Sequence, residues 1–129
     1  MDYRSPLSRA RGLGSAGQGV HHWRMQRFSA VALVPLTLWF AFSLASLDGN
    51  GYTAFAEWLS RPWVPALASL FFASAYYHAA LGIQVVIEDY VSRESTRVAL
   101  ILFANLVLLL LAVSTIVSIL VTALQGSNA

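Results

Sequence analysis

The chain contains no cysteine and no lysine. Without thiolates it cannot hold an iron–sulfur cluster, close a disulfide or attach a c-type haem covalently. Any redox centre bound here is therefore held through histidine or shared with a partner chain. Charge is scarce as well: 11% of the residues are charged, against about 25% in an ordinary soluble domain. A soluble fold of 129 residues needs more polar surface than this. The length suits one small domain and leaves no room for a second, catalytic one.

Apolar residues make up 57% of the chain, and mean hydropathy is +0.63. The few charges are segregated, leaving three long uncharged stretches. A bilayer core is about 30 Å thick, so about 20 apolar residues in a helix cross it. The spacing predicts an all-α membrane protein with three transmembrane helices, over about 28–47, 63–87 and 98–124. Residues 1–27 read as an N-terminal arm and 125–129 as a short tail. Up to about Val20 the arm is rich in Arg, Ser and Gly and reads as irregular. A secretory signal is the competing reading of the first span. Its run from Phe28 to Leu47 exceeds a 7–15-residue signal core, and no small-residue cleavage site clearly follows.

Proline and turn residues punctuate the spans. Pro35 falls in the first half of the first helix, where neighbouring groups must satisfy the freed carbonyl. Asp48-Gly49-Asn50-Gly51 is a dense turn signal. Tyr52 to Arg61 reads as a short connection whose Tyr52, Phe55 and Trp58 suit a membrane interface. Pro65 opens the second span, and the polar loop after it carries Glu88, Asp89, Arg93, Glu94 and Arg97. The third run is long enough to tilt or to project past the lipid.

A net charge of +2 and a pI near 9.4 invite a nucleic-acid reading. The arginines do not support it, because five of the eight precede Phe28. They follow a topology rule instead. Arg4, Arg9, Arg11, Arg24 and Arg27 in the arm join Arg93 and Arg97 in the second loop, and only Arg61 lies in the first loop. Positive-inside counting puts the N-terminus in the cytoplasm and the C-terminus in the periplasm.

One residue invites a chemical role. His78 lies inside the second span, and an ionisable side chain at such depth is a functional candidate by default. The plain alternative is a histidine hydrogen-bonded to a neighbouring helix. Its i±4 neighbours are Ser74 and Gly82, with Ala75 at i−3. Such small residues leave room for a flat macrocycle, and they equally permit close helix packing. A zinc site needs three or four ligands, and the other histidines, His21 and His22, are near the cytoplasmic surface. Haem needs only one or two axial ligands. With one deep histidine, a six-coordinate haem takes its second ligand from another polypeptide.

Asp89 follows His78 by eleven residues, which on a helix returns to within about 20° of the same direction, about 16 Å along the axis. Asp89-Tyr90 at a membrane boundary can position and protonate a quinone headgroup; it can equally be a helix end with a snorkelling tyrosine. Trp23 reads as an interface anchor. Arg27, entering the lipid, needs an anionic partner or an outward snorkel, and a haem propionate is such a partner. Ser29, Gln84, Asn105, Ser114, Thr115 and Ser118 read as helix–helix hydrogen-bonding groups without a site role.

Three segments together resemble the small hydrophobic membrane-anchor family of bacterial succinate dehydrogenase. They are Gly19-Val20-His21 followed by Arg27 and Ser29-Ala30; His78-Ala79-(x)2-Gly82; and Asp89-Tyr90-Val91 with Arg97 beyond. Their shared order and the eleven-residue step carry the resemblance over nearly the whole chain. It implies that His78 is one axial ligand of haem b, with the cytochrome b subunit giving the other. It implies that Tyr90 hydrogen-bonds ubiquinone with Asp89 beside it, and that Arg27 and His21 lie near the haem propionates. The cytochrome b and iron–sulfur subunits would complete the quinone pocket, and the flavoprotein subunit would oxidise succinate. The bacterial inner membrane is the implied location. The chain departs from the pattern at His22, an extra histidine, and at Glu88, a second carboxylate beside Asp89. Either departure could alter protonation near the quinone.

On this reading the chain is a non-catalytic subunit of an enzyme complex. The rivals are the anchor of a quinol:fumarate reductase and a structural or assembly protein whose histidine only packs.

Overall fold

The computed structural model describes residues 16–47 and 51–126, with side chains from Val20 onward except that of His22. Most of the N-terminal arm, the turn at 48–50 and the last three residues lie outside the described residues.

The described residues form four helices: α1 Ala16–Ala45, α2 Tyr52–Leu59, α3 Val64–Tyr90 and α4 Glu94–Gly126. Three of them are long and apolar enough to cross a membrane, over Trp23–Ala45, Val64–Tyr90 and Glu94–Gly126. The fold is that of an all-α membrane protein with three membrane-crossing helices. At 1.5 Å per residue, α1, α3 and α4 are about 45, 40 and 50 Å long, more than a bilayer core of about 30 Å requires.

Two elements differ from the reading of the sequence. First, the chain is already helical at Ala16, the first described residue, so the segment from Ala16 to Arg27 is helical. Once a helix is nucleated, each further residue adds one hydrogen bond for one residue fixed, so helix outlasts the apolar run. Second, the connection over 52–61 contains the helix α2, opened by Gly51 at φ 114°, a backbone state that glycine adopts without strain. Within α2, Trp58 is only 3% exposed and Leu59 1%. Trp58 is thus a core residue, whereas Tyr52 on the same helix is exposed.

That core joins Trp58 and Leu59 of α2 to Val64 and Ala68 of α3 and Ile119 of α4, with Trp39, Phe40 and Leu44 of α1 packed against it. Trp39 stacks on Trp58 with centroids 5.9 Å apart, and Phe40 on Phe71 at 4.7 Å. Offset aromatic pairs of this kind add about 0.5–1.5 kcal/mol beyond area burial. At the α4 terminus a Cβ added to Gly126 would lie 2.8 Å from the Ala56 carbonyl oxygen, so α2 and α4 approach as closely as glycine allows. All these groups lie where α1 ends, α3 begins and α4 ends. One end of the molecule is clamped.

α3 is the central helix: it packs against α1 on one side and α4 on the other, and among the described residues no Cα of α1 comes within 8 Å of one of α4. Tyr76 Oη and Thr115 Oγ1, 3.1 Å apart, tie α3 to α4. Only Val91, Ser92 and Arg93 separate α3 from α4. Glu94 and Arg97, expected in a polar loop, lie in the first turn of α4. Large apolar side chains are exposed along α1 and α4, among them Phe28, Val31, Phe42, Leu102, Phe103 and Leu124. In a bilayer such surfaces meet lipid or other apolar helices, with no cost of exposure to water.

Candidate functional site

His78 stands midway along α3, half-buried, on the side that faces α1. Its Nδ1 lies 2.9 Å from the Oγ of Ser29, a residue 49 positions earlier on α1. Ser29 is 8% exposed and is the one buried polar residue among those described. Its hydroxyl also donates to the Gln26 carbonyl, one turn back, at 2.9 Å. The expectation that Ser29 would bond a neighbouring helix holds, and the group it bonds is the candidate ligand. That relation was not legible in the sequence. The available signal was that two polar side chains inside apolar helices need partners, but the register of α1 on α3 decides which ones meet.

This bond occupies one ring nitrogen. Nε2 has no hydrogen-bond partner among the described residues. Helix-to-helix bonding and ligation therefore use different atoms of His78 and are compatible. Among the described residues no three His, Asp or Glu side chains gather as a metal-binding group. The donor set suits a group that asks one axial nitrogen of this chain rather than a polydentate ion.

Of the small residues flanking His78, Gly82 is used for packing. A Cβ placed on it would meet Gln26 Nε2 at 3.8 Å, so α1 covers that face. Gln26–Gly82 and Ser29–His78 define an antiparallel register between α1 and α3. Seven residues from Gln26 back to Gly19, and seven from Gly82 on to Asp89, are each about 10 Å of helix. The segment around His21 is thereby level with the Asp89–Tyr90 end of α3.

α3 continues without a break from His78 through Tyr90, so Asp89 does lie below His78 on one helix face. Both Asp89 and Tyr90 are exposed, Tyr90 to 85%. Glu88, the adjacent carboxylate, is turned to another face and accepts a 2.8 Å hydrogen bond from Gln84 Nε2. His21 is exposed, and the side chain of His22 lies outside those described.

Arg27 is placed apart from His78. On α1 it lies about 100° around the axis from Gln26 and about 160° from Ser29, so it projects about 130° away from the middle of the α3-facing side. Its guanidinium lies over the Trp23 ring, 5.1 Å from the centroid. Trp23, Arg24, Arg27, Phe28 and Val31 line an open hollow of about 430 Å³ on that outer face. Among the remaining intramembrane polar groups, Thr115 bridges helices as expected. Ser118 instead donates to the Ser114 carbonyl within α4, at 2.8 Å. Gln84 likewise bonds within its own helix. Asn105 lines a hollow of about 260 Å³ between α3 and α4, opposite Tyr76 and Tyr77.

The family model described as Succinate dehydrogenase/Fumarate reductase transmembrane subunit matches residues 1–121. A succinate dehydrogenase hydrophobic membrane anchor subunit of Rickettsia bellii is 39% identical over 121 residues, covering 92% of this chain and 94% of the relative. The like-named subunit of Paracoccus denitrificans is 36% identical over 105 residues, 81% of this chain and 80% of its own. A succinate dehydrogenase membrane anchor subunit of Reclinomonas americana is 32% identical over 92 residues, 69% and 77% of the two chains.

Proposed function

The chain belongs to the succinate dehydrogenase/fumarate reductase transmembrane subunit family, as a membrane anchor, and from that premise we propose three roles for it. It docks the flavoprotein and iron–sulfur subunits at a bacterial inner membrane. It shares a haem b with the cytochrome b subunit through His78. It contributes Asp89 and Tyr90 to the site where ubiquinone is reduced. The observation that carries this reading is a single unbroken helix. α3 presents an imidazole with a free Nε2 at mid-depth and an exposed carboxylate–phenol pair at its end.

When bound, the haem supplies a one-electron carrier inside the apolar part of the complex. His78 is the residue of this chain that would hold its iron, through Nε2. Arg27 and His21 are the groups on this chain available to its propionates; Arg27 would reach them from the outer face of α1, where a partner subunit must then pack. Quinone reduction takes two electrons and two protons. Tyr90 is placed to donate its hydroxyl hydrogen bond to a quinone oxygen, and Asp89 to relay a proton from the aqueous edge. Succinate oxidation itself belongs to the flavoprotein subunit, so this chain is a non-catalytic part of the enzyme.

The quinone role is tested by Tyr90→Phe, which removes a hydroxyl and keeps the ring. Ubiquinone reduction by the assembled complex is expected to fall by about tenfold or more, as for a lost proton donor. Succinate oxidation by an artificial acceptor at the soluble subunits should be preserved. Asp89→Asn is expected to lower the same step and change its pH profile, because a titrating group is gone. Normal ubiquinone rates across pH in both variants would remove the assignment. Fumarate reductases share the family description, yet the Rickettsia, Paracoccus and Reclinomonas relatives are all named for succinate dehydrogenase, which favours succinate oxidation.

A further inference from the structure

Ser29 has one hydroxyl proton and two close neighbours. The Gln26 carbonyl, at 2.9 Å, can only accept a hydrogen bond. His78 Nδ1, also at 2.9 Å, can donate or accept according to which ring nitrogen carries the proton. If the hydroxyl proton goes to Gln26, the bond to His78 forms only when Nδ1 carries the imidazole proton and Ser29 Oγ accepts it. In a neutral imidazole the proton on Nδ1 leaves Nε2 with its lone pair. The back-bond to a backbone carbonyl in Ser29's own helix thus bears on the tautomer of a histidine on another helix.

We infer that Ser29 is a positioning residue for His78: it holds the imidazole as the Nδ1–H tautomer and fixes the ring plane, so that Nε2 is always available as an axial nitrogen. The inference rests on the proposed haem role of His78 and specifies how that role is prepared in this chain. Burial makes the arrangement effective. Ser29 is nearly covered at the α1–α3 seam, so little water competes for Nδ1. Gln26, whose carbonyl takes the hydroxyl proton, is held beside Gly82 on the same face of α3. Histidines that ligate metals generally donate their other ring N–H to an acceptor, and removing that acceptor typically costs 10–100-fold in metal affinity or activity.

The test uses the full chain labelled with 15N-histidine in lipid bilayers without haem, and the assembled complex with haem b. In the full chain the resonance assigned to His78, by its loss in His78→Ala, should report the Nδ1–H tautomer. Ser29→Ala should shift it toward the Nε2–H form. In the haem-depleted complex the same variant should raise the haem b concentration for half-saturation by about 10–100-fold. Ser29→Thr keeps a hydroxyl at the same atom and should restore both readouts, which a purely packing role for Ser29 would not require. An Nε2–H tautomer in the unaltered chain overturns the inference. So does a Ser29→Ala complex that binds haem b normally with its tautomer unchanged. Should His78→Ala retain a haem with two imidazole ligands, the axial-ligand reading falls and takes this role of Ser29 with it. That failure is recognisable separately, because the Nδ1–H resonance and its response to Ser29→Ala would remain.

Discussion

At the scale of single residues, the site divides between two faces of α1. Ser29 meets His78 on the inner face, while Arg27 lies over Trp23 on the outer one. A guanidinium stacked on indole is held in place without being neutralised, since the ring offers a quadrupole and not a charge. An anion brought to the outer hollow by a partner subunit would complete it. Breaking a poorly solvated charge pair from one side costs about 3–5 kcal/mol. Arg27→Leu is therefore expected to lower haem retention in the complex, or shift the haem potential, while membrane insertion is unchanged. Quantifying haem per assembled complex, together with a redox titration, checks this; normal values would leave Arg27 as a topology signal. The candidate residues themselves were legible in the sequence, because a polar group within an apolar run is conspicuous. Their partners were not. Nothing local to Ser29 or Gly82 records that α1 crosses α3 at the level of His78.

At the scale of elements, the two ends of α3 are built differently. The end near Val64 is locked by Trp58, Leu59, Ala68 and Ile119 and by the stacked rings of Trp39, Phe40 and Phe71. The end near Tyr90 has exposed Asp89 and Tyr90 and only a three-residue link to α4. The packed core thus sits at the end of α3 away from Asp89 and Tyr90. Trp58→Ala is expected to destabilise the anchor by about 3–5 kcal/mol, the usual range for emptying a buried tryptophan site. Thermal unfolding of the complex in lipid should show it as a lower transition temperature, with an unaltered haem spectrum below that transition. The long spans could be read from composition because 20 apolar residues have few other uses. α2 could not, because its eight residues resemble an interfacial connection as much as a helix. Only packing distinguishes Trp58 in the core from Tyr52 at the surface.

At the scale of the whole molecule, arginine placement sets the expected orientation and the extended apolar surface sets the environment. Seven arginines precede Phe28 or lie at 93 and 97, and Arg61 alone lies between the first two spans, a pattern that predicts a cytoplasmic N-terminus. A reporter active only in the cytoplasm is expected to work when fused before Met1 and to fail after Ala129; the reverse pattern would place Asp89 and Tyr90 on the periplasmic side, away from the flavoprotein. The three-helix layer has α3 at its centre and places His78 where this chain alone satisfies one ring nitrogen and leaves the other. The most direct measurement is the low-spin ferric haem signal of the assembled complex carrying His78→Ala, compared with the unaltered complex by electron paramagnetic resonance and reduced-minus-oxidised absorption. Axial ligation by His78 predicts that the bis-imidazole signal disappears or becomes that of a five-coordinate or replaced-ligand haem. An unchanged bis-imidazole signal in a fully assembled variant would contradict it.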